Sequence, residues 1–454
     1  MYLYNISVRQ SHHSNQCTMN FFFISILRFS IVIIAVFLFG CFESDEYVMM
    51  PTPNLYLQST ANSFAAVPPA LRNSRADILY VTDRLPEVSS ALGARYGHHR
   101  SRYMSYGIAE IEFGKGLTWD ELVQASCART REQRIALRVT RTDEAGYFPE
   151  TPATMMVVDG DIVESPKNVA ARKEADERFK IFLTRQLVRS SSKEVLLYIH
   201  GFNTGFEEPL QSVAELWHFM GRTALPISYS WPASKRGITG YAYDRESGEF
   251  TVYHLKQLLR LLGSCPDVAC VNILTHSRGG DIVADALREL NIQMRASGED
   301  PRILLKINTV MLAAPDFDIE VASQRITAER LWQVANHSVI YVSSQDRELR
   351  KASWVFNSAS RFGELSPSDL EVDELALLQK NSRIQIIDAH IAGTGKDTHE
   401  YFKTNPAVSS DVILVLRDHR DPGSSHGRPL ISHNDTFWEI YENYSEKQLD
   451  QAKR

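Results

Sequence analysis

Residues 271–290 read Val-Asn-Ile-Leu-Thr-His-Ser-Arg-Gly-Gly-Asp-Ile-Val-Ala-Asp-Ala-Leu-Arg-Glu-Leu, and this stretch decides the fold. Its first part is apolar and partly β-branched, which is typical of a buried strand. Its last part repeats apolar residues at helical spacing, at Ile282, Val283, Ala286, Leu287 and Leu290. The stretch therefore predicts a strand, a tight turn that carries Ser277, and a helix.

A serine on a strand-to-helix turn is typical of a nucleophile elbow. Such a turn projects the hydroxyl outward and directs the N-terminus of the helix at a reacting carbonyl. The usual pattern is Gly-x-Ser-x-Gly, and here Thr275 stands where the first glycine is expected. The alternative interpretation makes Ser277 only the N-cap of the helix, a position where serine is favoured.

Residues 195–203 form a continuous apolar run that ends in His200-Gly201, which predicts a strand buried on both faces, as in a parallel sheet. Further strands are predicted at 77–84, 106–113, 135–141, 226–232, 307–316, 338–344 and 384–388. Helices are predicted at 119–127, 167–188, 207–220, 250–262 and 408–416, with another reaching about residue 334. This alternation predicts an α/β fold with a mostly parallel central sheet and helices on both faces. Residues 235–248 are predicted to form a loop that caps the site.

A serine nucleophile needs a histidine base that a carboxylate holds in place. The carboxylate is expected after the strand at 338–344, where Asp346 lies; Asp316, one strand earlier, is the alternative. The base is expected in the loop after the last strand. We favour His399 over His390, which is too close to that strand, and over His433, which lies near the C-terminus.

Two further residues are expected to form the oxyanion hole with their backbone N–H groups. One is Arg278, directly after the nucleophile, and the other is Phe202, with Asn203 as a possible helper. The Arg278 side chain either favours an acidic substrate or faces solvent. His276 is expected to pack and form hydrogen bonds rather than to react.

The 454 residues are 44% hydrophobic and 23% charged with a net charge of −6, which argues against disorder, a multi-span membrane protein and a nucleic-acid partner. The sequence contains no Cys-x-x-Cys or His-Glu-x-x-His motif, so we predict no metal site and no cofactor. Cys265 and Cys270 either pair in an oxidising compartment or are small core residues. Cys127 is then left free.

Residues 21–40 are almost wholly apolar and end in Leu38-Phe39-Gly40-Cys41, which resembles a bacterial lipoprotein signal with Cys41 lipidated after cleavage. Phe39 departs from that pattern, and an uncleaved signal anchor is the alternative. Residues 1–40 are thus predicted as the signal, 41–74 as a tether, 75–420 as the hydrolase domain and 421–454 as a tail. The expected location is the bacterial envelope, facing the periplasm. Phe42, rather than Asp, slightly favours the outer membrane.

Several motifs together resemble a bacterial α/β-hydrolase family of unknown function. They are Tyr-Ile-His-Gly-Phe-Asn-Thr, Ser-Trp-Pro-Ala, Tyr-Asp-Arg-Glu-Ser, Thr-His-Ser-Arg-Gly, Ala-Ala-Pro-Asp-Phe-Asp, Tyr-Val-Ser-Ser-Gln-Asp-Arg-Glu-Leu and His-Glu-Tyr-Phe-Lys-Thr-Asn-Pro-Ala-Val-Ser-Ser-Asp. The resemblance covers roughly residues 77–416 and implies the α/β-hydrolase fold, with Ser277, Asp346 and His399 as a triad. It implies no substrate. Arg278 stands where such families often have Met.

The expected function is that of a serine hydrolase, an esterase that cleaves a small-molecule or lipid-like ester, or less readily a thioester or amide, through an acyl-enzyme. The alternative is a non-catalytic α/β-hydrolase-fold protein that binds a partner at the cell envelope, since fold does not fix function.

Overall fold

The computed structural model describes residues 46–57, 64–90, 92–233, 237–356, 360–369, 376, 378, 380, 383–390, 398–434 and 436–444. The chain divides into two units, Met1–Glu46 and Tyr47–Arg454. The predicted signal and the lipidation site at Cys41 lie outside the described residues. Among the helices that are described, none combines the length and the apolar character needed to cross a membrane.

Thirteen strands occur in the described residues. They are β1 Arg75–Ser90, β2 Gly93–Phe113, β3 Leu137–Tyr147, β4 Met155–Val158, β5 Asp161–Glu164, β6 Val195–Ile199, β7 Leu225–Ser230, β8 Val271–His276, β9 Ile307–Ala313, β10 His337–Val342, β11 Ile384–His390, β12 Ile431–Ser432 and β13 Phe437–Tyr441.

Eleven of these strands form one sheet in the order β12-β13-β11-β10-β9-β8-β6-β7-β1-β2-β3, and β4 and β5 form a separate hairpin. The neighbours from β1 through β7, β6, β8, β9, β10 and β11 to β13 pair in parallel. The pairs β1–β2, β2–β3 and β12–β13 are antiparallel. The predicted α/β-hydrolase fold with a mostly parallel sheet is confirmed.

Helices cover both faces of this sheet. They are α1 Asn54–Leu57, α2 Trp119–Cys127, α3 Pro166–Leu187, α4 Glu207–Phe219, α5 Gly237–Ser264, α6 Gly279–Ala296, α7 Pro301–Leu305, α8 Ile319–Ala322, α9 Arg347–Phe356, α10 Tyr401–Thr404 and α11 Pro406–Asp418. Alternate residues of β6 belong to two separate apolar clusters: Val195, Leu197 and Ile199 pack with α3, α5 and α6, whereas Leu196 and Tyr198 pack with α4 and α11. Strand β6 is therefore buried on both faces, as its unbroken apolar run predicted.

One predicted loop and one predicted helix differ from the structure. The predicted loop at 235–248 is helical from Gly237 and forms the first turns of α5, which runs to Ser264. Asp244 and Ser247 in these turns are buried. Tertiary contacts here override the turn-forming tendency of Gly and Tyr. The predicted helix that reaches about residue 334 is broken into α8, a π turn at Ser323–Ala328 and a 3-10 turn at Leu331–Gln333.

The predicted tether at residues 41–74 contains residues that belong to the folded domain, beginning at Tyr47. Tyr47 and Met49 pair with the chain around β3, through Leu137 N–H to Tyr47 O at 2.8 Å and Met49 N–H to Ile135 O at 2.8 Å. Apolar side chains of the segment are buried, namely Met49, Met50, Tyr56, Phe64, Val67 and Leu71. Composition rich in Ser, Pro and Asn suggested a linker, but these scattered apolar residues join the core.

The predicted tail also belongs to the fold. Strand β13 extends the sheet next to β11, and Phe437 and Ile440 are buried. Arg428 is fully buried and forms a bidentate ion pair with Asp411 of α11, at 2.9 Å for each contact. The sequence pattern of this short strand was too weak to predict it.

The three cysteines in the described residues are not bridged. Cys265, which is buried, and Cys270, which is half-buried, are both free thiols, as is the exposed Cys127. Cys265 therefore follows the prediction of a small core residue.

Candidate active site

Ser277 lies in a left-handed turn between β8 and α6. Its φ is 52°, a conformation that costs free energy for any residue other than glycine. Three backbone hydrogen bonds hold the turn: Ser277 N–H donates to Ala313 O at 2.9 Å, and Ser277 O accepts from Gly280 N at 3.0 Å and Asp316 N at 3.2 Å. The predicted strand, turn and helix are confirmed, and the turn has the backbone shape of a nucleophile elbow.

Thr275 fits at the position where glycine is usual. Its side chain is fully buried and its hydroxyl donates to Met311 O at 3.4 Å. In the first turn of α6, a Cβ on Gly280 would lie 3.4 Å from Thr275 Oγ1. A Cβ on Gly279 would lie only 2.6 Å from the carbonyl oxygens of Ile199 and His200. Thr275 therefore fits in ordinary contact with the start of α6, and it is Gly279 that lets this helix approach the end of β6 closely.

Asp346 and His399 are in direct contact. His399 Nδ1 lies 2.6 Å from Asp346 Oδ2, and the Asp346 side chain is fully buried. The other carboxylate oxygen, Oδ1, accepts from the N–H groups of Glu348 at 3.0 Å and Leu349 at 3.1 Å, at the start of α9. Because a carboxylate oxygen accepts, Nδ1 carries the proton and Nε2 is the nitrogen left to act as a base.

The environment of His399 favours its charged form. Burial alone disfavours an imidazolium, but the hydrogen bond and the negative charge of Asp346 outweigh it, and the pKa of His399 is raised. The neighbouring His276 behaves in the opposite way. Burial, with the charge of His399, lowers the pKa of His276 to about 3, so this ring stays neutral.

His276 connects the elbow to the His399 segment. Its Nε2–H donates to His399 O at 3.1 Å, and the two ring centroids are 4.7 Å apart. The predicted packing and hydrogen-bonding role of His276 therefore agrees with its contacts. Between the described side chains of Ser277 and His399 no hydrogen bond is formed.

The alternative residues have other partners. Asp316 accepts from Arg361 Nε at 2.7 Å and from the Tyr241 hydroxyl at 3.3 Å. His390 lies 3.1 Å from Glu439 Oε1, and His433 contacts the same carboxylate oxygen. The structure thus brings Asp346, not Asp316, against His399, and places His390 and His433 together around Glu439 of β13.

In the part of the chain that the structure describes, the two N–H groups predicted for an oxyanion hole have no protein acceptor. Among the described hydrogen bonds, neither Phe202 N–H nor Arg278 N–H is a donor. The Asn203 N–H, in contrast, donates to Asp244 Oδ2 at 3.0 Å, which removes Asn203 as a helper through its backbone. The loop approaches the elbow so closely that a Cβ on Gly201 would lie 2.9 Å from Ser277 Cβ.

Arg84 is a supporting residue that the sequence analysis missed. Its buried guanidinium donates to Thr204 O at 2.7 Å, Gly205 O at 3.2 Å and Ala233 O at 2.7 Å. Burial lowers the pKa of Arg84 to about 9. The side chain thereby ties the loop after β6 to the ends of β1 and β7. A charged residue at the end of an apolar strand was the only signal in the sequence.

The Arg278 side chain is buried, so one of the two alternatives predicted for it, exposure to solvent, is wrong. It is 8% exposed, so it does not face solvent. Its guanidinium pairs with Asp281 at 2.8 Å and lies 5.8 Å from the Tyr241 ring, so its charge is compensated within the protein. Tyr241 in turn lies 5.2 Å from the Phe202 ring. The start of α5 therefore packs against the side chains of Phe202 and Arg278, where a loop was expected.

The helix that follows His399 rests on a buried charge network, which the sequence analysis also missed. Lys403 is 5% exposed and pairs with Glu400 at 3.2 Å, and its Nζ donates to the hydroxyls of Tyr47 and Ser212 at 3.2 Å each. Tyr47 donates to Glu215 at 2.6 Å. Burial raises the pKa of Glu215 to about 7.

No group of three or more His, Cys, Asp or Glu in the described residues is arranged to hold a metal ion. A cleft of about 510 Å³ opens elsewhere, between the β1–β2 hairpin and the end of β3, and includes Glu87, Tyr103 and Tyr147. It contains no residue of the elbow.

Comparison with known proteins gives the family. A search of curated proteins found no match. A family model described as alpha/beta hydrolase of unknown function (DUF900) matches residues 175–417, a span that includes Ser277, Asp346 and His399. The match covers more than half of the chain, and its description agrees with the mostly parallel sheet and flanking helices described above. The chain therefore belongs to this family of α/β hydrolases of unknown function.

Proposed function

We propose that this protein is a serine hydrolase that cleaves an ester through a covalent acyl-enzyme, with Ser277, His399 and Asp346 as its triad. The observation that carries the proposal is the 2.6 Å contact between His399 Nδ1 and Asp346 Oδ2, next to a serine in a left-handed strand-to-helix turn. A histidine oriented by a buried carboxylate beside an elbow serine is the arrangement that activates a hydroxyl.

In the proposed reaction, His399 Nε2 takes the proton of Ser277 while Oγ attacks the ester carbonyl. The oxyanion that forms accepts hydrogen bonds from the N–H groups of Phe202 and Arg278. Collapse of the tetrahedral intermediate breaks the bond to the alcohol, and the imidazolium returns the proton to it. Water then attacks the acyl-enzyme while His399 Nε2 takes its proton. Collapse of the second tetrahedral intermediate breaks the bond to Ser277 Oγ, which receives that proton, and the acid is released.

The proposed substrate is a small-molecule or lipid-like ester that reaches a membrane-held enzyme. This part of the proposal rests on the apolar run at residues 21–40 and on Cys41, which predict an anchor in the bacterial envelope facing the periplasm. A thioester or amide would follow the same chemistry, with a different leaving group.

A non-catalytic binding protein of the same fold is the second candidate. It is favoured by the missing Ser277–His399 hydrogen bond among the described side chains and by the closed site, in which Ser277 is only 5% exposed. Catalytic hydrogen bonds are often long in ligand-free enzymes, so this geometry alone does not reject the hydrolase.

Rapid mixing with p-nitrophenyl acetate distinguishes the two. We expect a burst of nitrophenolate that matches the enzyme concentration, with one acetyl group on the peptide that contains Ser277. The Ser277→Ala variant should show neither. A folded wild-type protein without burst and without acylated peptide would support the binding protein instead.

A further inference from the structure

The peptide group that joins Gly201 to Phe202 is fixed through its carbonyl oxygen. His200 Nδ1 lies 2.9 Å from Gly201 O, and because a carbonyl oxygen accepts, the Nδ1–H group is the donor. The peptide is trans, so its C=O and N–H groups point in opposite directions. The hydrogen bond from His200 therefore turns the Phe202 N–H away from the imidazole ring.

This peptide lies beside the proposed nucleophile. A Cβ on Gly201 would lie 2.9 Å from Ser277 Cβ. On the other side of the Phe202 N–H, the hydroxyl of Thr204 donates to Phe202 O at 3.0 Å. The N–H is thus held between two hydrogen-bonded carbonyl groups. A donor held in this way needs no rearrangement when negative charge develops on a substrate.

His200 makes this contact in one of its two neutral tautomers. Its Nε2 lies 3.4 Å from Nη2 of Arg84. A guanidinium has donors only, and its charge repels a second proton on the ring, so Nε2 is bare and Nδ1 carries the proton. Burial and the charge of Arg84 lower the pKa of His200 well below its usual value, so the ring stays neutral.

Buried contacts hold both side chains in place. The ring of Trp231 stacks on that of His200, with 5.1 Å between the centroids and 5° between the planes. The Trp231 Nε1–H also donates to His200 O at 2.8 Å. Arg84 Nε donates to Ser230 Oγ at 2.9 Å. All four side chains are buried, so the imidazole has a fixed orientation as well as a fixed tautomer.

We propose that Arg84 and His200 are positioning residues of the oxyanion hole. Arg84 keeps the proton of His200 on Nδ1, and the hydrogen bond of that proton to Gly201 O directs the Phe202 N–H at the oxyanion of the reacting ester. Neither side chain touches the substrate. This role rests on the proposed serine hydrolase and adds the residues that set the direction of one of its two oxyanion donors.

The tautomer of His200 is measured directly and without a substrate. In protein labelled with ¹⁵N at its histidines, the chemical shift of each ring nitrogen shows whether that nitrogen carries a proton. The signals of His200 are those that disappear in His200→Asn. We expect a proton on Nδ1 and a bare Nε2 at pH 7. A proton on Nε2, alone or together with one on Nδ1, would overturn the proposal.

Two substitutions of His200 separate its donor from its bulk. Asparagine places an amide N–H near the position of Nδ1, whereas leucine has a similar size and no donor. We expect His200→Leu to lose about 10²-fold in kcat on p-nitrophenyl acetate, the loss typical of one oxyanion donor, with KM changed less than about threefold. His200→Asn should regain most of that loss. A folded His200→Leu with wild-type kcat, or an equal loss in both variants, would overturn the proposal.

A thionoester analogue, with C=S in place of C=O, reports on the oxyanion hole itself. Sulfur accepts hydrogen bonds more weakly than oxygen, so the wild type should prefer the ester. We expect this preference to shrink in His200→Leu and to return in His200→Asn. A preference that stays the same in His200→Leu would assign its loss of activity to a general disturbance of the fold and would overturn the proposal.

Arg222 supplies a matched control for Arg84. It is also fully buried, donates to two backbone carbonyl groups at 2.7 and 2.9 Å, and lies 3.3 Å from Nδ1 of a buried histidine, His218. It precedes β7, whereas Arg84 contacts Ser230 at the other end of that strand. We expect Arg84→Met and Arg222→Met both to lower the unfolding temperature, and only Arg84→Met to lose kcat. Equal kcat in the two folded variants would overturn the role of Arg84.

The wild type separates failure of this proposal from failure of the proposed function. A wild-type protein with no burst and no acylated Ser277 would contradict the hydrolase. A wild type that shows the burst, together with a His200→Leu variant of undiminished kcat, would contradict the positioning role alone. If Arg84→Met does not fold, the tautomer and the two His200 variants decide.

Discussion

At the scale of single residues, Asp346 uses its two carboxylate oxygens for two different tasks. Oδ1 caps the start of α9 through two backbone N–H groups, and Oδ2 accepts a hydrogen bond from His399 Nδ1–H. Asparagine retains a cap oxygen but presents an amide to the histidine, whereas alanine loses both. The two substitutions therefore separate stability from catalysis.

We expect Asp346→Asn to unfold at nearly the wild-type temperature but to lose about 10⁴-fold in kcat, the loss typical of a triad histidine held in the wrong tautomer. Asp346→Ala should lose similar activity and in addition about 1 kcal/mol of unfolding free energy through the missing cap. Ester hydrolysis and thermal unfolding measure the two effects. An Asp346→Asn protein with near wild-type kcat would exclude Asp346 as the carboxylate of the triad.

The titration of His399 predicts how the reaction depends on pH. The base must be neutral to take the Ser277 proton, so activity is present above its pKa and is lost as pH falls through it. Because Asp346 holds the pKa of His399 above the usual value near 6.5, the midpoint of kcat/KM against pH should lie above 6.5. His276, with its pKa lowered to about 3, does not titrate in this range.

The pH profile is measured with a p-nitrophenyl ester between pH 5 and 9, on protein whose fold is followed by circular dichroism at each pH. A midpoint at or below 6.5 would contradict the assignment of the base to a histidine that a carboxylate stabilises.

At the scale of elements, two adjacent glycines in the first turn of α6 make opposite predictions. A Cβ on Gly279 meets the carbonyl oxygens of Ile199 and His200 at 2.6 Å, and these backbone atoms cannot move aside. A Cβ on Gly280 reaches ordinary contact distance, 3.4 Å from Pro315 Cβ and Thr275 Oγ1. Neither glycine has a positive φ.

Gly279→Ala should therefore lower the free energy of unfolding by about 1–3 kcal/mol, the usual cost of overpacking, and displace the elbow enough to reduce activity. Gly280→Ala should be neutral or stabilise by up to about 1 kcal/mol, since alanine is the better helix former. Chemical denaturation compares the two. Equal effects of the two changes would mean that α6 does not pack against the end of β6 as described.

The buried ion pair between the C-terminal segment and α11 gives a second prediction at this scale. Arg428 and Asp411 are both fully buried, and removing one partner leaves an uncompensated charge in the core. Arg428→Ala should therefore cost about 3–5 kcal/mol of unfolding free energy. Arg141→Ala, which breaks the exposed pair with Asp143, should cost at most about 1 kcal/mol. Similar small losses for both would show that the C-terminal segment is not part of the core.

Elements could be predicted from the sequence where their pattern is local. The run of β6 is apolar without interruption, those of β8 and β9 are mostly apolar, and the helix at Trp119–Cys127 begins with a capping box formed by Thr118 and Glu121. The short β13 and the first turns of α5 were missed because their residues favour turns or surfaces, and only contacts with distant parts of the chain order them.

At the scale of the whole molecule, local sequence patterns predicted the candidate site residues but not the buried residues that support them. Ser277, Asp346 and His399 could be chosen because each follows a predicted strand, where the loops of a parallel sheet converge. Arg84 and Lys403 could not, since nothing local distinguishes a buried cation from an exposed one. Each depends on partners far along the chain, such as Thr204 for Arg84 and Tyr47 for Lys403.

Lys403 also connects the start of the domain to the site. Tyr47 lies six residues after Cys41, and through Lys403 it contacts the helix that directly follows His399. The segment next to the predicted anchor is therefore part of the support of the proposed base, rather than a tether that could be removed without consequence.

Labelling with a fluorophosphonate probe tests the central claim most directly, because the probe reacts with an activated serine and needs no knowledge of the substrate. We predict that the folded wild-type chain is labelled at Ser277, that Ser277→Ala is not labelled, and that His399→Gln is labelled far more slowly. A folded wild-type protein that takes up no probe, or labelling that persists in Ser277→Ala, would contradict the account.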